Sequence, residues 1–166
     1  MYDFAADEEV PEDYMDVTRS PGVDVVDVGD KCLANYGDIR FTNSTGTELD
    51  YWMETNAGSY ADFWVEIDSI GTSTNIYIYY GISSASTTSN GDTTFIFFDD
   101  FTGTALDTGK WTSAGTPVIS SSILTLNTTS GTPTEGIASI STFGTNYAIR
   151  TRTNIPSVYN VGFDAV

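Results

Sequence analysis

Between Gly37 and Gly81 apolar and polar residues alternate with a period of two, and this alternation constrains the fold more than any other feature of the chain. The stretch reads G-D-I-R-F-T, L-D-Y-W-M-E-T, A-D-F-W-V-E-I-D and N-I-Y-I-Y-Y-G, four runs separated by Ser, Thr, Asn and Gly. Successive side chains of a strand point to opposite sides of its sheet, so a strand with one buried face alternates in this way. In the third run Phe63, Val65 and Ile67 fall on one face, with Asp62, Trp64, Glu66 and Asp68 on the other. In the fourth, Ile76, Ile78 and Tyr80 oppose Tyr77 and Tyr79. No helix of ordinary length fits this pattern. The expectation is antiparallel β.

K-C-L-A-N-Y-G-D-I-R-F-T, E-L-D-Y-W-M-E, F-W-V-E-I-D-S-I, N-I-Y-I-Y-Y-G and S-N-G-D-T-T-F-I-F-F-D-D-F follow one another in that order. Together they resemble the domain-of-unknown-function family numbered twenty-three forty-one, from Val23 to Phe98. The resemblance implies a domain that recurs in large secreted or surface-anchored proteins of archaea and bacteria, and hence an extracellular or cell-surface location. The family has no agreed activity, so what it implies is architecture and place. Its members usually begin with one or two strands containing Trp or Tyr, which have no good counterpart here.

Composition excludes several kinds of chemistry. The chain has 23 acidic and 6 basic residues, a formal net charge of -17. Nucleic acid is not an expected partner, because binding it relies on basic groups that release counterions. An acidic surface protein accounts for this balance, as would a salty habitat. There is no histidine, which rules out Ser-His-Asp and Cys-His catalysis within the chain and argues against a zinc site. Cys32 is the only cysteine, so no disulfide forms within the chain, and it reads as a small buried hydrophobe. No apolar run approaches the ~18 residues of a membrane helix. Acids at Asp3, Asp7, Glu8 and Glu9 do not suit a signal peptide, so the signal of an exported protein is expected upstream or already removed.

Three regions are expected. Residues 1–22 are acidic, interrupted by Pro11 and Pro21, and read as an extended or partly disordered arm. Residues 23–96 form a β-sandwich module: V-D-V-V-D-V as a strand, the four runs, then a Ser/Thr-rich loop with Asn90-Gly91-Asp92 as its turn. Residues 97–166 open with F-F-D-D-F-T-G-T-A-L-D-T-G-K-W-T, which resembles the start of a concanavalin A-like or laminin-G-like jelly roll. P-V-I-S, I-L-T-L-N, G-I-A-S-I-S-T-F-G and Y-A-I-R-T-R-T-N-I follow as strand candidates. Such a jelly roll usually needs ~150 residues, so this one is partial: a fragment of a longer chain, or a sheet completed from elsewhere. The fold class is therefore all-β, an antiparallel sandwich followed by a partial jelly-roll sandwich. Asn43-Ser44-Thr45 and Asn127-Thr128-Thr129 fit the N-glycosylation pattern.

Three sets of residues could carry chemistry. W-V-E-I-D-S-I-G resembles the E-I-D-x-x-E strand of jelly-roll endoglucanases, and alternate positions put Glu66 and Asp68 on one face. The expected third acid is Gly71, so both read as solvent-facing strand residues and no catalytic residue is assigned. Trp52, Trp64, Tyr77 and Tyr79 lie opposite the aliphatic stripes. There they would stack on sugar rings, or else pack against the other sheet, a neighbouring module or the arm. Asp99, Asp100 and Asp107 flank the junction and offer hard oxygen ligands for Ca2+, or else serve as loop and turn residues.

The expected function is non-enzymatic: structural or adhesive work in a surface protein, an extracellular filament or a virion appendage. Its partners would be further copies of the chain or other surface proteins, joined by strand exchange. In that exchange the arm inserts Tyr2, Phe4, Val10, Tyr14, Met15 and Val17 into a neighbour. The alternative is a carbohydrate-binding accessory region of a secreted glycoside hydrolase, with polysaccharide as its partner.

Overall fold

A computed structural model describes residues 26, 28–67, 69, 74–127, 135–145 and 147–153. They form two units, which divide between Phe98 and Asp99. The arm at residues 1–22 lies outside the described residues, as do most of residues 23–28. Val26 and Val28 are described, and neither is in a strand.

The first unit is an antiparallel sandwich. β1 (Arg40–Asn43) is central to a three-stranded sheet, between β2 (Glu48–Leu49) and β5 (Ile76–Tyr79). β3 (Tyr51–Asn56) and β4 (Ala61–Val65) make the second sheet. Local turn chemistry sets both hairpins. Between β1 and β2, the Asn43 side-chain oxygen accepts from Thr45 N and Thr47 N, while Gly46 takes a φ of 80°. Between β3 and β4, Asn56 accepts from Gly58 N, and Gly58 again has a φ of 80°. Only a residue without Cβ enters that region freely.

Alternation decides what each strand buries. Phe41 pairs with Ile78 in one sheet, and Tyr51 with Val65 and Met53 with Phe63 in the other. Phe41, Tyr51 and Phe63 meet edge-to-face, with centroids 5.3 to 5.8 Å apart. Each such contact contributes about 0.5–1.5 kcal/mol beyond area burial. Ile39, Leu49, Val65, Ile78 and Tyr80 complete this core. The Tyr51 hydroxyl, drawn inside with its ring, accepts from Thr88 N at 3.3 Å.

Two devices close the sandwich. Buried Asp38 accepts from Leu33 N at 2.9 Å and from Gly81 N at 2.6 Å, tying together the segments before β1 and after β5. The free edge of β3 is covered by the chain returning from β5: Asn90 N donates to Tyr51 O, and Met53 N donates to Ser89 Oγ, each at 2.8 Å. Asn90 then caps a single helical turn, α1 (Gly91–Thr94), by accepting from Asp92 N. The turn expected at Asn90-Gly91-Asp92 is thus the start of a helix.

Among its described residues the second unit has four strands in two antiparallel pairs. β6 (Trp111–Ala114) pairs with β9 (Gly136–Ser139), and β7 (Val118–Ser120) with β8 (Ile123–Thr125). Glu135 links the pairs by accepting from Thr116 Oγ1 and from Asn127 N. The expected strand at Tyr147 to Ile155 is not formed in its described part, residues 147–153, which enter no ladder.

Candidate functional site

The outer face of the β3–β4 hairpin carries a paired Trp52 and Trp64, since their neighbours Tyr51, Val65, Met53 and Phe63 point inward. A β-bulge at Glu54 shifts the register between Met53 and Thr55. Bulges re-aim side chains, and here the Glu54 carboxylate accepts from Trp64 Nε1 at 2.8 Å. Trp64 nevertheless remains 36% exposed. Trp52 is covered: its ring lies 4.7 Å from Phe98 and 5.8 Å from Phe95, which stack on each other. Phe98 in turn lies against Gly91, where a Cβ would overlap the ring.

Tyr77 and Tyr79 sit elsewhere. β5 pairs with β1, and Ile78 points inward with Phe41. The two tyrosines therefore share the outer face of the other sheet with Arg40, Thr42 and Glu48. The four rings do not form a single sugar platform. Trp52 and Trp64 flank one side of the sandwich, Tyr77 and Tyr79 the other, because β5 joins the sheet of β1. Of the four, Trp64 and Tyr77 are the more exposed, at 36% and 46%, and the Trp64 ring also lies 5.9 Å from Phe95.

Asp99, Asp100 and Asp107 do not converge on a cation. Each satisfies donors in its own loop, the loop and turn role that the sequence offered beside Ca2+. Asp99 accepts from Phe101 N at 2.7 Å and from Trp111 Nε1 at 2.6 Å, and Trp111 stacks with Phe101. Asp100 accepts from Thr102 N, and Asp107 from Gly109 N. The Asp107 carbonyl also accepts from Lys110 N and Trp111 N, launching β6. The described residues include no group of three His, Cys, Asp or Glu side chains able to hold a metal. Glu66 lies just beyond the end of β4 and is exposed, while Asp68 is outside the described residues.

Burial is the main cause that raises the Cys32 thiol above its ordinary pKa, and the Asp38 and Asp30 charges add to it. A proton held this firmly makes a poor nucleophile at neutral pH. The side chains with the most specific contacts, Asp38, Glu54, Phe95 and Phe98, were not among the sequence-derived candidates. Of these, only Asn90-Gly91 followed by Phe95 and Phe98 left a trace in the sequence, as a cap and a close-approach glycine beside an aromatic pair.

Residues 35–114 match the model of the family described as Domain of unknown function (DUF2341). That stretch is similar to DUF2341 domains. The match crosses the division between the two units and ends with β6, so the matched stretch includes both Asp99 and the Trp111 it holds. No curated protein and no solved structure matches the chain. Among the described residues no helix is long and apolar enough to cross a membrane.

Proposed function

We propose that this chain is a non-catalytic, extracellular or cell-surface β-module with a structural or adhesive role. One observation carries the reading: six carboxylates of the described residues are used to hold loops and indoles of the chain itself, while Trp64 and Tyr77 leave aromatic surface exposed on the two sheets. Asp38, Glu54, Asp99, Asp100, Asp107 and Glu135 each accept hydrogen bonds from this chain's own N–H groups. A catalytic carboxylate pair needs free oxygens facing each other across a substrate. Incubation with a panel of polysaccharides and peptides should give no turnover. Turnover abolished by Glu66→Gln would overturn the reading.

Carbohydrate binding is the second reading, favoured by Trp64 and Tyr77. An exposed indole whose N–H is fixed by Glu54 presents a rigid flat face, and such faces stack on sugar rings. Because the two rings lie on different sheets, each would form a separate contact. Saccharide titration followed by tryptophan fluorescence tests this, with Trp64→Phe as control. A response that persists in Trp64→Phe would remove Trp64 from the contact.

A further inference from the structure

The turn that joins β1 to β2 is itself an Asn-x-Thr triplet. Asn43 ends β1 and is half-buried, while Ser44, Thr45, Gly46 and Thr47 are all exposed. Its Oδ1 accepts from Thr45 Oγ1 at 2.7 Å, and from Thr45 N and Thr47 N at 3.0 Å each. The amide oxygen is therefore turned into the hairpin and fully engaged, which leaves the nitrogen as the free end of the side chain. Among the described residues nothing accepts from Asn43 Nδ2, and the buried side-chain atom left unpaired is Thr42 Oγ1, so Nδ2 reaches water. Ile76, directly across the ladder from Asn43, is 36% exposed, and Thr74, Asn75 and Tyr77 beside it are exposed too. The space next to the amide is open. At the second such triplet Asn127 is exposed, but Thr128 and Thr129 lie outside the described residues.

We infer that Asn43 is an N-glycosylation site, presented by the folded β1–β2 hairpin to an oligosaccharyltransferase. The co-substrate is an oligosaccharide joined through its anomeric carbon to a polyprenyl pyrophosphate. Nδ2 forms a bond to that carbon as the carbon–oxygen bond to the pyrophosphate breaks. The leaving pyrophosphate keeps the electron pair, and one Nδ2 proton passes to a base of the transferase, so nothing is oxidised or reduced. An amide nitrogen is a weak nucleophile, because its lone pair is delocalised into the carbonyl. Three donors on Oδ1 draw charge towards the oxygen and acidify the Nδ2 protons, which eases the proton loss the transfer requires. The Thr45 hydroxyl is one of those donors, and it belongs to the residue that the acceptor pattern demands at this spacing. Occupancy in the protein's source rests on the extracellular reading, since such glycans belong to exported chains; the acceptor geometry does not.

Intact-mass spectrometry of the purified, folded full chain is the test, after incubation with an oligosaccharyltransferase of Asn-x-Ser/Thr specificity and a polyprenyl-pyrophosphate oligosaccharide of known mass. The expected result is a gain of one oligosaccharide that peptide mapping places at residue 43. Asn43→Asp keeps oxygens for the turn but has no amide nitrogen, so it should lose that glycan while circular dichroism shows it folded. Thr45→Val should lose it as well, and Thr45→Ser should retain it. Residue 43 unmodified in the wild type, with or without a glycan at Asn127, overturns the inference. So does modification at residue 43 only after unfolding in urea, or occupancy there that Thr45→Val leaves unchanged. None of these outcomes touches the non-catalytic reading, and turnover or an intracellular location would sink the reading above without removing the acceptor.

Discussion

At the level of single residues, Thr42 shows how a sheet face can carry a defect. Its Oγ1 is buried with no hydrogen-bond partner, between Glu48 and Tyr77 on the neighbouring strands. A buried unpaired hydroxyl costs free energy that an isosteric methyl group does not. Thr42→Val should therefore stabilise the protein by about 1 kcal/mol, raising Tm by about 2–4 °C in a chain of this size. A lower Tm would mean the hydroxyl has a partner, such as an ordered water. Cys32 gives a pH-dependent counterpart. Its raised pKa means that, above the ordinary thiol range, the unfolded chain has lost a proton that the folded one keeps. Stability should therefore fall as pH rises through that window, and be indifferent to Cys32 below it. Iodoacetamide should alkylate native Cys32 more slowly than free cysteine at pH 8, and Asp38→Asn should speed the reaction. Equal rates for wild type and free cysteine would contradict the assignment.

Among the elements, the segment from Asn90 to Phe98 matters most. Gly91→Ala would place a methyl inside the Phe98 ring and force it off Trp52 and Phe95. Overpacking of this kind costs about 1–3 kcal/mol, read as a lower urea midpoint with a loss of near-ultraviolet dichroism. An unchanged midpoint would show that the ring has room to move. In the second unit, millimolar Ca2+ should leave the melting temperature where an ionic-strength control leaves it, because the Asp99, Asp100 and Asp107 carboxylates already serve N–H donors. A Ca2+-specific rise reversed by EDTA would refute that. These elements also show how far the sequence could be read. The alternation of Phe63, Trp64 and Val65 assigned inward and outward faces correctly, as did the outward reading of Trp52, because period is a local property. Whether β5 joins the sheet of β1 or that of β3 is a matter of topology, which period cannot report, so Tyr77 and Tyr79 seemed free to join the tryptophans. The Glu54 bulge and the bond from Trp111 to Asp99 were equally hidden, since both depend on which strand lies alongside and how the loop returns.

For the whole molecule the dominant quantity is charge. With a net charge of -17, most of it before Asp99, self-repulsion opposes compactness in the first unit far more than in the second. Raising NaCl from about 0.05 to 1 M shortens the screening length from about 14 to 3 Å, and should raise the melting temperature of the chain. The gain should concentrate in signals from the first unit. A flat or falling temperature would mean that the acids are already neutralised by local contacts.

The closure of β3 by the chain returning from β5 has a kinetic consequence. The Met53 amide is held by a serine hydroxyl rather than by a strand, so its exchange with solvent deuterium needs only the 89–98 segment to lift. The same lifting would uncover the Trp52 indole, which the segment's phenylalanines shield. Amide exchange at Met53 and acrylamide quenching at Trp52 should thus report one opening event, faster than global unfolding. Ser89→Ala should accelerate exchange at Met53 while leaving the slowest core amides, such as that of Phe41, unchanged.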